Sequence, residues 1–256
     1  MKFFLSQLLT GFFLFPACSI REDRSSCPCR LELDLQAFAA FSPNVTVVIW
    51  EGSSAGRDTP GTDEPFIREL SKGYFDASVW TGAKSGNLTG SRLELPMEVP
   101  PDSLRLHRIR LDCRGETCRI RANPVRQYAR ITLNVVMKAG ETFPCRIRVE
   151  SDYQGLDLRD LHPIPGRHAF SVNSQEEGHF IFDLLRHGTD TNIRLEVWKE
   201  EALIASLPFA EWLRAVGYDW EALDLIPVNL SLDYEHRTIR VSIAGWKEGN
   251  VIETLL

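Results

Sequence analysis

Hydrophobic and polar residues alternate along much of the chain, and this period of two is typical of strands that have one buried face. The alternation is clearest over residues 31–35 and 128–137. Residues 45–50 instead form a nearly continuous β-branched and apolar run, which predicts a strand covered on both faces. Residues 74–80 are a further short strand candidate. Strands therefore dominate the prediction for the first half of the chain.

Two irregularities interrupt this pattern. Between Leu106 and Ile109 the apolar positions of the stretch 104–111 change phase, and one extra residue in a strand, a β-bulge, would produce that change. Residues 52–65 are rich in Gly, Ser, Asp and Pro, so they predict a long exposed loop. The first half is therefore predicted to be a series of short strands with one long loop.

The second half repeats the strand pattern and adds one helix. Residues 193–197 alternate, and residues 228–234 and 239–243 do so on either side of a turn, which predicts a hairpin. Proline in the first turn and glycine after the last turn are typical helix boundaries. Such a pair encloses apolar residues at helical spacing in the segment Pro208, Phe209, Trp212, Leu213, Val216 and Gly217. The aromatic residues of this helix are expected to lie in the core.

Together these signals predict an all-β fold with two β-sandwich domains in series and one short helix in the C-terminal domain. We place the boundary at 140–144, where a turn with Gly and Pro precedes a restart of the strand pattern. The N-terminal domain is then expected at 27–144 and the C-terminal domain at 145–256. A chain of 256 residues suits two domains of this size.

The beginning of the chain has the features of an export signal. The uncharged apolar run 3–15 follows a lysine and is too short to span a bilayer as a helix. An Ala-Cys pair follows, as in a lipobox, so residues 1–17 are predicted to be a lipoprotein signal peptide and Cys18 the lipidated residue. An ordinary cleaved signal, with Cys18 uninvolved, is the alternative. Residues 18–26 would form a flexible lipidated tether.

The residue after Cys18 bears on the final location of such a lipoprotein. Position 19 is a serine, whereas an aspartate there is the familiar signal for retention in the inner membrane of Gram-negative bacteria. We therefore expect a lipid-anchored protein of the cell outer membrane that is exposed at the cell surface. No other apolar run approaches the length of a membrane-spanning helix.

Export would place the five remaining cysteines in an oxidising compartment, where disulfides are stable. Cys113 and Cys118 flank a four-residue segment that contains a glycine. Directly opposed residues of an antiparallel hairpin have the Cα separation that a disulfide needs, so we predict a Cys113–Cys118 bond. Reduced or differently paired thiols are the alternative. Cys27 or Cys29 is a candidate partner for Cys145, which leaves one odd thiol.

Composition and motifs argue against several classes of function. The chain has 29 basic and 35 acidic residues, and its net charge of -6 argues against nucleic-acid binding. It contains no metalloprotease, nucleophile-elbow, phosphate-loop or dinucleotide-binding motif. We therefore expect no enzymatic activity, no catalytic residue, no cofactor and no small-molecule substrate. His162 and His168 flank a stretch with Pro and Gly, where two solvated loop residues are favoured over a metal site.

Arginine is concentrated in one stretch. Residues 104–130 hold eight arginines against Asp112 and Glu116, although the chain as a whole is acidic. In one interpretation, arginine stems cover the outer face of a strand pair. In the other, the stretch is a docking surface for an acidic partner or for anionic lipid headgroups.

The order of several short motifs resembles a known protein family. The polar tether leads into Cys27-Pro28-Cys29 and an alternating leucine strand, and the later segments are 155–158, 182–186, 217–220 and 245–246. In this order and spacing they are similar to the FimB-type fimbrial anchor lipoproteins of the Bacteroidetes fimbrillin superfamily. The resemblance covers nearly the whole chain after the signal peptide.

This resemblance implies two transthyretin-like β-sandwich domains and a role at the base of a type V pilus. Such an anchor terminates pilus growth and tethers the pilus to the outer membrane through its lipid, here on Cys18. Its partner would be a fimbrial stalk subunit, bound by strand complementation, in which a strand of one subunit completes a sheet of its neighbour. Residues 251–256 would be either a donated strand or the chain's own last edge strand, folded back by a turn at 249–250.

A second class of function is a surface lipoprotein that binds glycans or host ligands. It would bring exposed aromatic side chains together at one end of a sandwich, and the candidates are Trp50, Trp80 and Trp198. An anchor would instead present an unpaired strand edge.

Overall fold

The computed structural model describes residues 27–52, 54–83, 86–138, 143–176, 178–233, 238–243 and 252–255. The predicted signal peptide, the tether and Cys18 lie outside these residues. So do the two predicted turns at 235–237 and 249–250.

The first half of the chain forms a sandwich of two sheets. The strands of this half are β1 (Cys29–Asp34), β2 (Thr46–Glu51), β3 (Ser54–Asp58), β4 (Phe66–Leu70), β5 (Tyr74–Thr81), β6 (Asn87–Thr89), β7 (Arg92–Glu94), β8 (Arg105–Asp112), β9 (Thr117–Arg121) and β10 (Val125–Arg126). All of them except β6 and β7, which join a sheet of the second half, form this sandwich. One sheet has the order β4-β1-β9, in which β1 runs antiparallel to β4 and parallel to β9. The facing sheet has the order β10-β8-β5-β2-β3 and is antiparallel. Alternate residues of both sheets point inward and form a buried apolar core that includes Leu31, Leu33, Val47, Val79 and Leu111.

The second half forms a second sandwich. Its elements are β11 (Tyr128–Val136), β12 (Arg146–Asp157), β13 (Pro163–Val172), β14 (Ser174–Glu176), β15 (His179–Leu185), β16 (Ile193–Lys199), β17 (Ala202–Leu207), α1 (Phe209–Ala215), β18 (Val228–Asp233), β19 (Thr238–Ile243) and β20 (Ile252–Leu255). One sheet has the order β14-β15-β11-β18-β19-β20. In the other, β12 lies between β13 and β16, and β17 follows β16 at the edge. α1 contributes Phe209, Trp212 and Leu213 to the core between these sheets.

The prediction of an all-β fold with sandwich-like sheets and one short helix is confirmed. α1 is the one α-helix in the described part of the chain, and Gly217 just after it has a φ of 72°, as expected for a glycine cap. β18 and β19 pair antiparallel, as the predicted hairpin requires. The prediction of a loop over 52–65 is wrong in part, because β3 lies within it and pairs with β2. Gly and Ser are tolerated in this strand because it is a solvent-facing edge.

The change of apolar phase in 104–111 is not a bulge. β8 pairs with β5 in an unbroken register along all of residues 74–81. Ile109 and Leu111 face the core of the first sandwich, whereas Leu106 is buried in a separate apolar cluster on the opposite face. Because both faces of β8 are covered, its apolar positions change sides along a regular strand.

That separate cluster joins the two sandwiches. The five-stranded sheet contributes Val48, Trp50, Trp80 and Leu106, and the second half contributes residues that include Leu156, Leu158 and Leu185. The β6–β7 hairpin adds Leu93 to the cluster and pairs with the end of β12. The two halves of the chain therefore share a buried apolar interface.

Sheet membership changes before the predicted domain boundary at 140–144. β10, which ends at Arg126, is the last strand of the first sandwich, and β11 pairs with β15 and β18 of the second. The turn signal that we used lies between β11 and β12, which belong to facing sheets of one sandwich. Gly and Pro mark a reversal of the chain within a domain as readily as a boundary between domains.

Gly155 is a position where the backbone of β12 lies close to that of β7. A Cβ atom at Gly155 would lie 2.1 Å from the carbonyl oxygen of Leu93, which belongs to the backbone and cannot rotate away. We expect Gly155→Ala to separate β7 from β12 and to lower the free energy of unfolding by roughly 2–3 kcal/mol. Urea denaturation measures this value. Gly61→Ala is the control, because its nearest neighbour would be 3.8 Å away; equal stability losses in both variants would contradict this account.

His187 is a buried histidine in the second sandwich. Its Nδ1 faces the carbonyl oxygen of Leu185 and therefore carries the proton, while Nε2 accepts a hydrogen bond from the Ser151 hydroxyl at 2.7 Å. Burial lowers the pKa of His187 from 6.5 to about 4. The folded protein thus keeps this side chain neutral while the unfolded chain takes up a proton below pH 6.5.

We therefore expect the free energy of unfolding to fall as the pH drops from 6.5 toward 4, by up to about 3 kcal/mol from His187 alone. Burial also lowers the pKa values of His107 and His168, so their contributions have the same sign. The His187 contribution is measured as the difference in pH slope between the native chain and His187→Gln. A His187→Gln variant with the same pH slope as the native chain would contradict the assignment to His187.

Candidate partner-binding edge

β17 is an exposed edge strand of the second sandwich. It pairs antiparallel with β16, with Ala202 opposite Lys199 at one end and Leu207 opposite Leu195 at the other. β17 is the last strand of its sheet. The hairpin turns at Glu200, which adopts a φ of 54°. One side of β17 therefore satisfies its backbone groups, and the other side faces away from the sheet.

The side chains of β17 are apolar and accessible. Leu203 is 46 % exposed and Ile204 is 55 % exposed, although both are large aliphatic residues. No residue of the strand is charged. Edge strands of soluble proteins are normally protected against pairing with other chains by charged residues, proline or a covering segment. β17 lacks the first two kinds of protection along its whole length.

The other long edges are protected. Charged residues or prolines occur in each of them, as Arg57 and Asp58 in β3, Arg68 and Glu69 in β4, Arg119 and Arg121 in β9, and Pro163, Pro165 and Arg167 in β13. The segment after β7 also covers part of β13, because the amide of Glu98 donates to the carbonyl of Ala169 at 2.8 Å. Among edge strands of five or more residues in the described ranges, β17 alone has neither charge nor proline.

The segment after β17 holds the strand in place. Leu207 is buried at its end, Pro208 follows, and α1 then buries Phe209 and Leu213 in the core. An edge that is already extended and paired on one side loses little conformational entropy when another strand adds to it. This arrangement is suited to β-augmentation, in which backbone hydrogen bonds supply affinity and alternate side chains supply specificity.

The last described strand pairs within the molecule. β20 runs antiparallel to β19, with Leu255 opposite Thr238 at one end and Ile252 opposite Val241 at the other. Of the two alternatives for the end of the chain, the structure has residues 252–255 as the chain's own edge strand. Residues 251 and 256 lie outside the described residues.

The cysteines are arranged differently from the prediction. β8 and β9 do not form a hairpin, because they belong to facing sheets, so the geometric basis of the Cys113–Cys118 prediction is wrong. Both thiols are nevertheless buried, and the bond between them stays a prediction. Cys29 joins them in the core of the first sandwich, whereas Cys145 is buried in the second. Cys27 is exposed.

Most of the arginines in 104–130 are engaged within the protein. The residues with carboxylate partners pair as Arg114 with Asp112, Arg119 with Glu32, Arg121 with Asp34, Arg126 with Asp224 and Arg130 with Asp183. Hydrogen bonds from Arg114 lower the pKa of the Asp112 carboxyl to about 2. Arg105 instead lies over the ring of Phe41 at 3.8 Å. These contacts favour the interpretation that this stretch covers strand surfaces.

The aromatic candidates for ligand binding do not form an exposed platform. Trp50 and Trp80 are 6 % and 3 % exposed and belong to the interface between the sandwiches. Trp198 is half-buried, and its Nε1 donates to Glu196 at 2.9 Å. His162 and His168 also lie in different environments. His162 is exposed, whereas His168 is buried and contacts the carbonyl oxygen of Val99. Across the described ranges, no three His, Cys, Asp or Glu residues form a cluster that could hold a metal ion.

The fold of most of the chain is similar to that of solved structures from Bacteroides and Porphyromonas species. A protein from Bacteroides thetaiotaomicron described as polysaccharide-binding has a TM-score of 0.62 at 12 % identity, covering 90 % of this chain and 98 % of that one. The fimbrial anchor protein Mfa2 from Porphyromonas gingivalis has a TM-score of 0.58 at 13 % identity, covering 86 % and 98 %. A protein from Bacteroides ovatus described as an adhesin has a TM-score of 0.58 at 10 % identity, covering 92 % and 97 %.

The chain shares the fold of these proteins. At such low identity the similarity concerns the fold alone. No protein-family model matches the sequence, and no curated protein matches it. Within the residues that the structure describes, no helix has the length and hydropathy to cross a membrane.

Sequence reasoning missed β17 as a site. Residues 202–207 form a short uncharged run that does not alternate, and a bulge beside Trp198 interrupts its register with β16. Only the pairing of β16 and β17 in space identifies the strand as an edge.

Proposed function

We propose that the protein is the lipid-anchored base subunit of a type V fimbria at the bacterial outer membrane. Cys18 would carry the lipid, residues 18–26 would link it to the first sandwich, and a fimbrial stalk subunit would bind to β17. The single observation that carries the proposal is the uncharged edge of β17, which exposes Leu203 and Ile204 at the end of its sheet.

Strand complementation at β17 would bury apolar surface as well as pair the backbone. Full burial of an exposed aliphatic side chain contributes roughly 1.5–3 kcal/mol, so Leu203 and Ile204, about half exposed, would each contribute about 1 kcal/mol. A partner strand with small or apolar residues at the facing positions fits this edge, whereas an added charge at the same positions would be desolvated. These requirements match a strand from a protein subunit.

The internal pairing of β20 is consistent with a terminal position in the fimbria. A stalk subunit that grows a polymer must both accept a strand and donate one. In this chain, β20 is hydrogen-bonded to β19 and is engaged within the molecule. A subunit that accepts a strand at β17 and donates none would end the polymer and so terminate growth.

The fold similarity to the fimbrial anchor protein Mfa2 supports the same proposal. The role requires a lipid, a tether and a strand edge, and it requires no catalytic residue, cofactor, small-molecule substrate or nucleic acid. We therefore assign the protein to structural and adhesive functions at the cell surface and propose no enzymatic activity.

Deletion of the gene tests the proposal. We expect cells without this protein to release fimbriae into the medium and to make longer fimbriae, and complementation with the native gene to restore short, attached ones. Electron microscopy measures the lengths, and immunoblots of cells and medium measure attachment. Attached fimbriae of unchanged length in the deletion strain would contradict the anchor role and favour a ligand-binding surface lipoprotein.

A further inference from the structure

Arg108 and Arg110 are the two arginines of the stretch 104–130 that neither pair with a carboxylate of the described residues nor lie over Phe41. They are two residues apart on β8, so their side chains share one face of the strand. Both are exposed. Because Ile109 between them belongs to the core of the first sandwich, this face is the outer face of the five-stranded sheet.

A cleft of about 510 Å³ lies over these two arginines, where the first sandwich meets the turn that follows β12. One side of the cleft consists of Asp76 and Ala77 in β5 and of the segment 108–110 in β8, which pairs with β5. The other side consists of Arg159 and Asp160 in the turn. Three guanidinium groups therefore line one cleft at the junction of the two halves of the chain, and such junctions are common places for ligand sites.

Contacts within the protein hold two of the three guanidinium groups in place. Arg159 donates to the carboxylate of Asp76 at 3.0 Å and lies over the ring of Trp50, 5.7 Å from its centre. Arg108 donates to the carbonyl oxygen of Asp160 at 2.6 Å. A guanidinium group has five N–H donors, so both arginines keep donors for a ligand. Because these side chains are already positioned, a ligand binds them at little cost in side-chain entropy.

The charge of the cleft selects the class of ligand. Asp76 and Asp160 also line it, but Asp76 pairs with Arg159, and the Asp160 carboxylate lies 2.9 Å from Nδ1 of His162. Three arginines against two carboxylates leave the lining with a net positive charge. Arginine stays protonated at physiological pH and binds carboxylate and similar oxyanions with two parallel hydrogen bonds. The cleft is therefore suited to an anionic ligand.

An exposed aromatic ring lies beside the cleft. Tyr74 is 51 % exposed, and the guanidinium group of Arg110 lies 5.7 Å from the centre of its ring. Arg114 covers part of the same ring, at 4.6 Å from the centre. An aromatic ring beside a few charged groups suits a ligand that has an apolar face as well as anionic groups.

An acidic sugar has both features, because the C–H groups of its ring form an apolar face and its carboxylate or sulfate groups are anionic. An acidic peptide fits less well. The cleft lies on the face of a sheet, whereas a peptide gains most of its affinity by pairing its backbone with a sheet edge. The chemistry of the cleft therefore favours a saccharide over a peptide.

We propose that this cleft binds an acidic oligosaccharide, with Arg108, Arg110 and Arg159 on its oxyanion groups and Tyr74 against a sugar ring. The Cα atoms of Arg108 and Arg110 are roughly 7 Å apart along the strand, so the two side chains can bind oxyanions on neighbouring rings. This binding activity goes beyond the anchor role. The cleft shares no residue with β17, so either proposal can fail while the other stands.

Isothermal titration calorimetry of the full chain tests the class of ligand. Trigalacturonate supplies carboxylates, sulfated maltotriose supplies sulfates, maltotriose is the neutral control, and hexaglutamate is an acidic peptide. We expect at least one of the two acidic saccharides to bind, which identifies the anionic group, and maltotriose to give no binding. Failure of both acidic saccharides would overturn the proposal. Binding of hexaglutamate as tightly as the better saccharide would also overturn it, in favour of an acidic peptide.

Single variants test the site with the saccharide that binds. We expect Arg110→Ala to lower its affinity by roughly tenfold, since a charge-assisted hydrogen bond is lost. Tyr74→Ala should also weaken the binding of this saccharide. Arg119→Ala is the matched control, because Arg119 is an exposed arginine on the facing sheet, and it should keep the native affinity.

Thermal unfolding of each variant shows that it is folded, and Arg110→Lys gives a second test that keeps the charge. The ammonium group of lysine cannot form the two parallel hydrogen bonds of arginine, so this variant should bind more weakly than the native chain. Native affinity in Arg110→Ala, or an equal loss in Arg119→Ala, would overturn the assignment of the cleft. Native affinity in Tyr74→Ala would contradict the contact with a sugar ring.

Discussion

Replacement of Cys18 by alanine is expected to remove the protein, and the fimbriae attached to it, from the outer membrane. A diacylglyceryl group needs the cysteine sulfur, and each buried CH₂ of such a chain contributes roughly 0.8 kcal/mol of membrane affinity. Palmitate labelling should therefore disappear in Cys18→Ala, and fimbriae should move from the cell fraction to the medium.

Cys27→Ala is the matched control, because Cys27 is an exposed cysteine close to Cys18 in sequence. We expect this variant to keep both the label and the attached fimbriae. A labelled Cys18→Ala protein, or one that stays in the outer membrane with its fimbriae, would contradict the assignment of Cys18 as the lipid site.

Charge on the β17 edge is expected to abolish capture of the fimbrial subunit and to leave the fold intact. In Ile204→Lys an ammonium group would have to lose water when a partner strand covers it, without a compensating charge. We expect the amount of cell-attached fimbriae to fall by roughly tenfold or more, because each 1.4 kcal/mol corresponds to a factor of ten in binding. Ile204 is 55 % exposed, so the free energy of unfolding should change by less than about 0.5 kcal/mol.

Ile67→Lys is the matched control for this variant. Ile67 is 52 % exposed and lies on β4, an edge strand of the other sandwich. It should leave fimbrial attachment unchanged. Equal losses in both variants would indicate a nonspecific effect of surface charge, and normal attachment in Ile204→Lys would exclude β17 as the binding edge.

The strands that can be predicted from the sequence are those with one buried face. Leu31 and Leu33 alternate with acidic residues because one face of β1 meets the core and the other meets water. The same reasoning fails for β8, because Leu106 and Ile109 are buried on opposite faces of the strand. The face that carries Leu106 is buried only because the two sandwiches pack against each other. The predicted loop was too long because β3 is an exposed edge strand. Its Ser54 and Gly56 are not part of any alternation of apolar and polar residues that would indicate a strand.

The candidate site depends on contacts that local sequence does not encode. Leu203 and Ile204 resemble core residues by composition, and only the position of β17 at the end of its sheet leaves them exposed. The cysteines show the same limit. Spacing predicts Cys113 and Cys118 as partners. The position of Cys29 on the same inward face as Cys118 follows instead from the parallel pairing of β1 with β9, which joins segments far apart in the chain. The anchor itself, at Cys18, rests on the sequence pattern.

Site-specific photo-crosslinking in cells tests the central claim most directly. A photoreactive amino acid at position 204 on β17 should yield one adduct whose mass equals this protein plus one fimbrial subunit, identified by mass spectrometry. The same amino acid at position 67 on β4 should yield none. No subunit adduct from position 204, or equal adducts from both positions, would contradict an anchor that captures its fimbria at β17.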